Sequence, residues 1–96
     1  MIDVKIYSVL TIKDIIGQRE TDISIPRGST VEFLLSLMVE TWGKELSAVL
    51  FEPGSMKPHS YIRLMVNGQD IGFLDGMETV LQNDDEITIL PPVAGG

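Results

Sequence analysis

The sequence predicts an α+β fold in which one main helix packs on one face of a small mixed sheet. Short stretches with the two-residue period of half-buried strands lie near both ends of the chain. One longer stretch between them has the spacing of an amphipathic helix. The chain has 96 residues, of which 44% are hydrophobic, so it is long enough for a single domain with its own core. We therefore expect one domain over residues 1–96.

The first half of the predicted sheet is an antiparallel pair of strands. Ile2, Val4 and Ile6 alternate with polar residues, and residues 21–25 alternate in the same way. Gly17 interrupts the apolar stretch between the two runs. Two strands that lie close in sequence favour antiparallel pairing.

The predicted helix lies between Ser29 and Gly43. Ser29 followed by Glu32 three residues later indicates a capping box, and Gly43 suits the position just after the last helical residue. Residues 44–50 have room for a short helical turn, and the loop at 51–60 shows no catalytic pattern. The apolar residues of the main helix share one stripe, which is typical of core packing: Val31, Leu34, Leu35, Met38 and Trp42.

A second group of strands is predicted after this loop. Residues 61–66 form a strand candidate, and Asn67 and Gly68 are a strong turn signal because both tolerate positive φ. We expect a short edge strand to continue through Ile71 and Phe73.

The last strand is predicted to follow turns at residues 75–76 and 83–85. Ile87 and Ile89 should face the helix, which turns Leu90 toward the other face of the sheet. Tyr7 has the opposite parity to Val4 and Ile6 and should share that outer face. Exposed apolar side chains commonly mark partner surfaces, although single ones are also ordinary on protein surfaces.

Composition excludes several classes of site. The chain has no cysteine, which rules out a disulfide framework, a thiolate nucleophile and a cysteine zinc site. Its one histidine, His59, has no partners for a metal cluster and is expected to be exposed. The paired carboxylates Asp84, Asp85 and Glu86 are expected to be a solvated charge run at a turn. No glycine-rich phosphate loop is present, so we expect no cofactor to be bound by this chain itself.

The charge and hydropathy of the chain indicate which class of partner it binds and where in the cell it acts. The net charge of -7 argues against nucleic acid and favours a basic protein partner, although acidity alone also keeps a small protein soluble. No signal-peptide pattern is visible, and no segment is long enough to span a bilayer. We therefore expect a cytoplasmic protein that acts away from membranes.

The C-terminal residues form the candidate reactive segment: Pro91, Pro92, Val93, Ala94, Gly95 and Gly96. Two prolines lock φ and remove two donors, so the last strand cannot continue its ladder and residues 91–96 should project as a tail. Four extended residues reach at most about 13 to 14 Å, enough to enter a deep pocket. Glycine lets the tip pass a narrow channel. The alternative is a frayed terminus.

The run from Asp84 to Gly96 resembles the C-terminal signature of the ubiquitin-like sulfur carriers of the MoaD/ThiS family, most closely the small subunits of molybdopterin synthase. Residues 66–71 resemble the strand-turn segment of the family and residues 28–35 its helix entry, while residues 43–60 match least. The resemblance implies a ubiquitin-like β-grasp fold. Many family members have glycine where Asp84 stands.

The resemblance also implies a function for a non-catalytic carrier. A ubiquitin-activating-type adenylyltransferase (MoeB/ThiF-like) would use ATP and magnesium to form an acyl-adenylate on Gly96. A persulfide sulfur donor would convert it to a thiocarboxylate, which passes sulfur to a pterin on the molybdopterin synthase large subunit (MoaE-like). At matching positions Tyr7, Ile71 and Leu90, with Phe73 beside them, would contact these partners.

Other functions fit the same tail. A ThiS-like carrier would serve thiazole synthesis, and a related carrier would serve a tungsten cofactor. A ubiquitin-like modifier would instead be joined to lysines of other proteins through Gly96. A plain binding module would keep its activity without Gly95 and Gly96.

Overall fold

The computed structural model describes residues 1–91, and the predicted tail beyond Pro91 lies outside the described residues. The strands are β1 (Ile2–Ser8), β2 (Glu20–Ile25), β3 (Arg63–Val66), β4 (Gln69–Asp70) and β5 (Glu86–Leu90), and the helices are α1 (Leu10–Ile16), α2 (Val31–Trp42) and α3 (Lys44–Leu50). Two 3₁₀ turns, Ile71–Phe73 and Gly76–Glu78, separate β4 from β5.

The five strands form one mixed sheet in the order β2-β1-β5-β3-β4. β1 and β5 run parallel, and the other neighbours are antiparallel. Alternate residues of β1, β2, β3 and β5 point to the same face, where they form a single buried core together with residues of all three helices. The predicted α+β class is therefore confirmed.

The predicted pairing of β1 with β2 is confirmed, but a helix that we did not predict joins them. Ile12 and Ile16 lie one turn apart on α1 and are buried, whereas most of its other side chains are exposed. Gly17 ends this helix in the left-handed region at φ 88°, where its N–H donates to the carbonyl of Lys13 at 2.7 Å. A glycine that indicated a break between strands is thus the C-cap of a seven-residue helix.

The main helix begins one residue later than the predicted capping box requires. Thr30 is the N-cap, and its Oγ1 accepts a hydrogen bond from the N–H of Phe33 at 3.2 Å. Ser29 is buried and donates through Oγ to the carbonyl of Pro26 at 2.6 Å, so its hydroxyl is already engaged. The capping box of Ser29 and Glu32 is therefore wrong.

Replacing Thr30 with alanine should lower the free energy of unfolding by about 1 kcal/mol, because the N–H of Phe33 loses its acceptor. Glu32→Ala is the matched control. It removes a side chain of the same turn that takes no part in the cap, and we expect a change within about 0.5 kcal/mol. Chemical denaturation of both variants measures the difference. A larger loss for Glu32→Ala than for Thr30→Ala would contradict the assignment.

The rest of the helical layer follows the predicted apolar stripe. Val31, Leu34, Leu35 and Met38 are buried, and Trp42 is half-buried against the core. The predicted C-terminal glycine is confirmed: Gly43 has φ 78°, and its N–H donates to the carbonyl of Val39 at 2.7 Å. Beyond it, the predicted turn is the full helix α3, which buries Leu46 and Leu50.

The hairpin between β3 and β4 confirms the turn at Asn67 and Gly68, whose φ values are 52° and 83°. The strand predicted through Ile71 and Phe73 is wrong. β4 ends at Asp70, whose Oδ1 accepts a hydrogen bond from the N–H of Gly72 at 2.8 Å. That contact caps a 3₁₀ turn and directs the chain out of the sheet.

β5 occupies the centre of the sheet, between β1 and β3. Ile87 and Ile89 are fully buried, as the alternation predicts. The turn before this strand places Asp84 in the left-handed region at φ 69°, which aspartate adopts occasionally and most residues other than glycine avoid. Asp85 fixes the turn: its carboxylate accepts hydrogen bonds from the side-chain amide of Asn67 and the N–H of Gln82.

Candidate partner-binding site

The face of the sheet opposite the helices is open in the part of the chain that the structure describes. Strand register places four half-buried residues in one row across β1, β5, β3 and β4: Tyr7, Thr88, Met65 and Asp70. Because no helix covers this row in residues 1–91, its aromatic ring, thioether and methyl group form a shallow apolar surface. We call the row, together with Leu90, the open face.

Leu90 links the open face to the predicted tail. It lies two residues beyond Thr88 on the same side of β5 and pairs in register with Arg63 of β3. The sequence predicts an exposed Leu90, but the side chain is half-buried. Pro91, the first residue assigned to the tail, is buried. A partner that covers the open face therefore also covers the point where the chain leaves the sheet.

The opposite end of this face is acidic. Asp3, Asp22, Asp84 and Glu86 line a small depression with Lys5 among them. The Nζ of Lys5 lies 4.0 Å from the carboxylate of Glu20, and both side chains are substantially exposed, so this pair contributes little stability. The face thus changes from acidic carboxylates at one end to apolar groups and Arg63 beside Leu90 at the other.

The structure separates the four predicted contact residues into two places. Tyr7 and Leu90 lie on the open face, on the neighbouring strands β1 and β5. Ile71 and Phe73 lie in the 3₁₀ turn after β4. Ile71 packs against the core, whereas Phe73 is 81% exposed. All four stay predicted contacts, and Ile71 is half-buried, as Tyr7 and Leu90 are.

Sequence reasoning missed Met65 and Arg63 on the open face. The signal was available, since Leu64 and Val66 are buried and residues of the opposite parity on one strand point the other way. An apolar residue at an outward position of a strand is the pattern that identified Leu90. Met65 fits that pattern equally well.

The one histidine of the chain lies outside the open face. His59, predicted to be exposed, is half-buried: its ring stacks on Tyr61 at 4.6 Å, and Nε2 lies 3.2 Å from the carbonyl of Ala48. These contacts fasten the loop before β3 to α3. Within residues 1–91, no group of three or more histidine or acidic side chains is placed to hold a metal ion.

The helices are short compared with the thickness of a bilayer. The longest of them, α2, has 12 residues. In the described part of the chain, no helix combines the length and the apolar character needed to cross a membrane.

Comparisons with known proteins place the chain in a family. Residues 10–96 match the model of the ThiS family. The chain is 37% identical over 87 residues to small archaeal modifier protein 3 of Haloferax volcanii, covering 90% of each chain. It is 40% identical over 81 residues to the sulfur carrier protein CysO of Mycobacterium tuberculosis, covering 83% of each.

A solved structure agrees with these relatives. The chain superposes on CysO in the Amycolatopsis orientalis BexX/CysO complex with a TM-score of 0.74 and 29% identity, covering 97% of this chain and 99% of that one. The ubiquitin-like β-grasp predicted from the resemblance is therefore confirmed. The chain belongs to the ThiS family of ubiquitin-like sulfur carriers.

Proposed function

We propose that this protein acts through the carboxylate of Gly96, which partner enzymes activate with ATP and then load with sulfur. The observation that supports the proposal most directly is the position of β5. It is the central strand of the sheet, it buries Ile87 and Ile89, and it delivers Leu90 at the edge of the open face. The match to the family model covers residues 10–96, which include this strand and the C-terminal residues through Gly96. A tail that starts from the centre of the sheet has a fixed origin relative to the docking surface.

Activation is needed because a carboxylate is a poor acyl donor at neutral pH. We propose that an oxygen of the Gly96 carboxylate attacks the α-phosphorus of ATP and expels pyrophosphate, which forms an acyl-adenylate. The magnesium ion and the ATP site belong to the adenylyltransferase, which is MoeB/ThiF-like in this proposal. Closure of the tail in the partner's pocket excludes water from the anhydride and orients the next attack.

Sulfur then replaces the adenylate. The terminal sulfur of a partner persulfide attacks the carbonyl carbon of Gly96 and expels AMP. A second thiol cleaves the S–S bond of the resulting acyl persulfide, leaving a thiocarboxylate on Gly96 and a disulfide on the donor. In this scheme every acid, base and thiol belongs to a partner, and the carrier contributes the terminus and the docking surface.

The open face is the surface we propose for these partners. Its apolar row is half-buried before any partner binds, so covering it removes apolar area from water at little cost in side-chain ordering. The CysO relative is seen in a complex with BexX, which supports the general idea that carriers of this family work with partner enzymes. Tyr7 and Leu90 are the two residues we assign to this contact with most support.

Replacing Tyr7 with alanine should weaken binding to the adenylyltransferase at least about tenfold, because a buried aromatic anchor typically contributes about 1.4 kcal/mol or more. Tyr61→Ala is the matched control. It removes the only other tyrosine of the chain, which is 51% exposed and stacks on His59 instead. Isothermal titration calorimetry gives both dissociation constants. Equal weakening by the two variants would contradict the assignment of the open face.

The relatives support two outcomes for the activated terminus. One relative, at 40% identity, is named a sulfur carrier protein. Another relative, at 37% identity, is named a modifier protein. Both outcomes start from the same acyl-adenylate. In the carrier, the thiocarboxylate gives its sulfur to a bound metabolite. In the modifier, a lysine ε-amine of another protein attacks the activated carbonyl and forms an isopeptide bond.

For the carrier we propose the molybdopterin pathway, in which a MoaE-like large subunit binds the pterin and supplies the catalytic residues. This choice rests on the resemblance of residues 84–96 to the small subunit of molybdopterin synthase. The neighbouring choices are a thiazole pathway and a tungsten cofactor pathway. The modifier is the second candidate function, and the name of the Haloferax volcanii relative is the observation that favours it.

A reconstitution tests the proposal. The chain is incubated with a MoeB/ThiF-like enzyme, ATP, magnesium and a persulfide donor, and pyrophosphate release and the mass of Gly96 are followed. We expect release that depends on the chain and a thiocarboxylate at Gly96. A large subunit with bound pterin should then consume the thiocarboxylate, whereas a modifier would form conjugates that survive denaturation. No pyrophosphate release with any such enzyme would refute the proposal.

A further inference from the structure

The two edges of the sheet differ in length and in their connection to the rest of the chain. β4 forms one edge with two residues and leads directly into a 3₁₀ turn. β2 forms the other edge with six residues, and β1 is its only neighbour in the sheet among residues 1–91. An edge strand of this length offers a row of backbone donors and acceptors to another strand.

The hydrogen bonds of β1 show which backbone groups of β2 point outward. The N–H of Ser8 donates to the carbonyl of Arg19 at 2.9 Å, so these two residues form a hydrogen-bonded pair just beyond Tyr7 and Glu20. Such pairs alternate along an antiparallel ladder. Lys5 of β1 forms its backbone hydrogen bond on the side away from β2, where its N–H donates to the carbonyl of Asp85 at 3.0 Å.

This alternation determines the direction of the other backbone groups of β2. The hydrogen-bonded residues of β2 toward β1 are Thr21, Ile23 and Ile25. The backbone groups that face away from the sheet are those of Glu20, Asp22 and Ser24. The edge therefore presents three N–H groups and three carbonyls spaced two residues apart.

Side chains along this edge alternate in character. Glu20, Asp22 and Ser24 lie on the side of the open face, and two of them are acidic. On the core side Ile25 is buried and Ile23 is half-buried. Thr21, also on the core side, has a buried Oγ1 with no hydrogen-bond partner within residues 1–91. A strand laid beside β2 would meet carboxylates on one side and partly exposed apolar groups on the other.

We propose that β2 is a docking edge that pairs with one extended segment of a partner protein, in which basic and apolar residues alternate. The basic residues project on the side of the open face and lie beside Glu20 and Asp22. Asp22 also borders the depression lined by Asp3, Asp84 and Glu86, with Lys5 as its only cation. A lysine or arginine beside Asp22 can place its charge in this depression. The apolar residues of the segment cover Ile23.

The charges favour such a segment over a second copy of this chain. If two β2 strands paired antiparallel about a two-fold axis at Asp22, the Asp22 side chains of the copies would lie directly opposite each other, where like charges destabilise pairing. Each copy also carries a net charge of -7. Arg19 and Arg27 lie beyond the two ends of β2, and Lys5, the register partner of Asp22, is a single cation beside both Asp22 and Glu20.

This docking edge is separate from the chemistry of the tail. β2 is two strands away from β5 in the sheet, a distance of roughly 10 Å at the usual strand spacing. A partner strand can therefore pair with the outer edge of β2 while Leu90 and Gly96 engage another protein, although Tyr7 is the register partner of Glu20. Because the proposal does not require Gly96, a chain that lacks this residue should bind the segment equally well.

The probe for the test is a synthetic peptide of alternating lysine and valine, with a glutamate–valine peptide of the same length as its control. Amide hydrogen exchange of the protein is measured by NMR with and without the peptide. At about 1 mM peptide, we expect exchange of the Glu20, Asp22 and Ser24 amides to slow at least about fivefold. The amides of Thr21, Ile23 and Ile25 are internal controls, because they are protected by β1 without any peptide.

The charge is tested with Asp22→Lys, which leaves the backbone donors in place. We expect this variant to bind the lysine–valine peptide at least about tenfold more weakly and to bind the glutamate–valine peptide more tightly than the unaltered chain does. Its thermal midpoint serves as the check on folding. Unchanged exchange at Glu20, Asp22 and Ser24, equal protection by both peptides, or chemical-shift changes centred on Tyr7 and Leu90 would each overturn the proposal.

Discussion

Removing Gly96 is expected to abolish adenylation and sulfur loading while leaving the fold intact. An extended residue spans about 3.3 to 3.6 Å, so the new carboxylate on Gly95 would stop short of the α-phosphorus of ATP by about that distance. Misplacement by even about 1 Å can cost on the order of 100-fold in rate. We therefore expect chain-dependent pyrophosphate release to fall at least about 1000-fold.

Two controls accompany this deletion. The free energy of unfolding should change by less than about 0.5 kcal/mol, because a terminal residue beyond the sheet contributes little to the core. Gly96→Ala keeps the length of the tail and adds one methyl group, so it should retain more activity than the deletion. Full activity without Gly96 would show that the reactive carboxylate need not lie at this position, and marked unfolding would show that the tail stabilises the fold.

Replacing Ile87 with alanine is expected to cause the largest loss of stability, about 2–5 kcal/mol. The side chain is fully buried at the centre of the sheet, between Ile6 of β1 and Val66 of β3. Its loss leaves a cavity lined by three strands, which the sheet cannot close without breaking its ladder. The thermal midpoint should fall by on the order of 10 °C or more.

Thr88→Ala is the matched control for this substitution. Thr88 is the next residue of β5, but its side chain is half-buried on the open face, and truncation there should cost less than about 1 kcal/mol. Urea denaturation of both variants gives the free energies, with similar m-values if the unfolding stays two-state. A loss below about 1 kcal/mol for Ile87→Ala would mean that β5 does not organise the core.

Local patterns predicted those parts of the fold where the sequence offers a single physical solution. The alternation of Ile87 and Ile89 leaves one way to bury both, and Asn67 with Gly68 gives a turn that requires positive φ twice. The apolar residues from Val31 to Met38 likewise lie on one face of the helix, which is the face that is buried. In these cases propensity, periodicity and burial agree, and the structure follows them.

The errors arose where two physical solutions compete locally. Residues 10–16 are too few to distinguish a short helix from an irregular connection, and tertiary burial of Ile12 and Ile16 decides for the helix. Ser29 and Thr30 are both good N-caps, and the choice depends on the hydrogen bond from Ser29 to Pro26. After β4, the carboxylate of Asp70 accepts a hydrogen bond from the N–H of Gly72, and the chain turns there instead of continuing as the predicted edge strand.

The candidate site was predictable to the extent that strand parity was predictable. Parity alone places Tyr7 and Leu90 on one face, and the register of β1 and β5 puts Leu90 two residues beyond Thr88, the partner of Tyr7. Ile71 was assigned to this surface by matching it to the family, but its side chain packs toward the core. Sequence cannot show this, because the direction of Ile71 is set by the 3₁₀ turn that follows Asp70.

Intact-protein mass spectrometry of the chain isolated gently from its native cells shows whether Gly96 carries sulfur. We expect a fraction whose mass corresponds to one oxygen replaced by sulfur, with fragmentation that locates the exchange at Gly96. Treatment with the large subunit and its pterin should return this fraction to the unmodified mass. An unmodified Gly96 in cells that actively use the protein, or a sulfur atom located elsewhere in the chain, would show that Gly96 is not the sulfur-carrying residue.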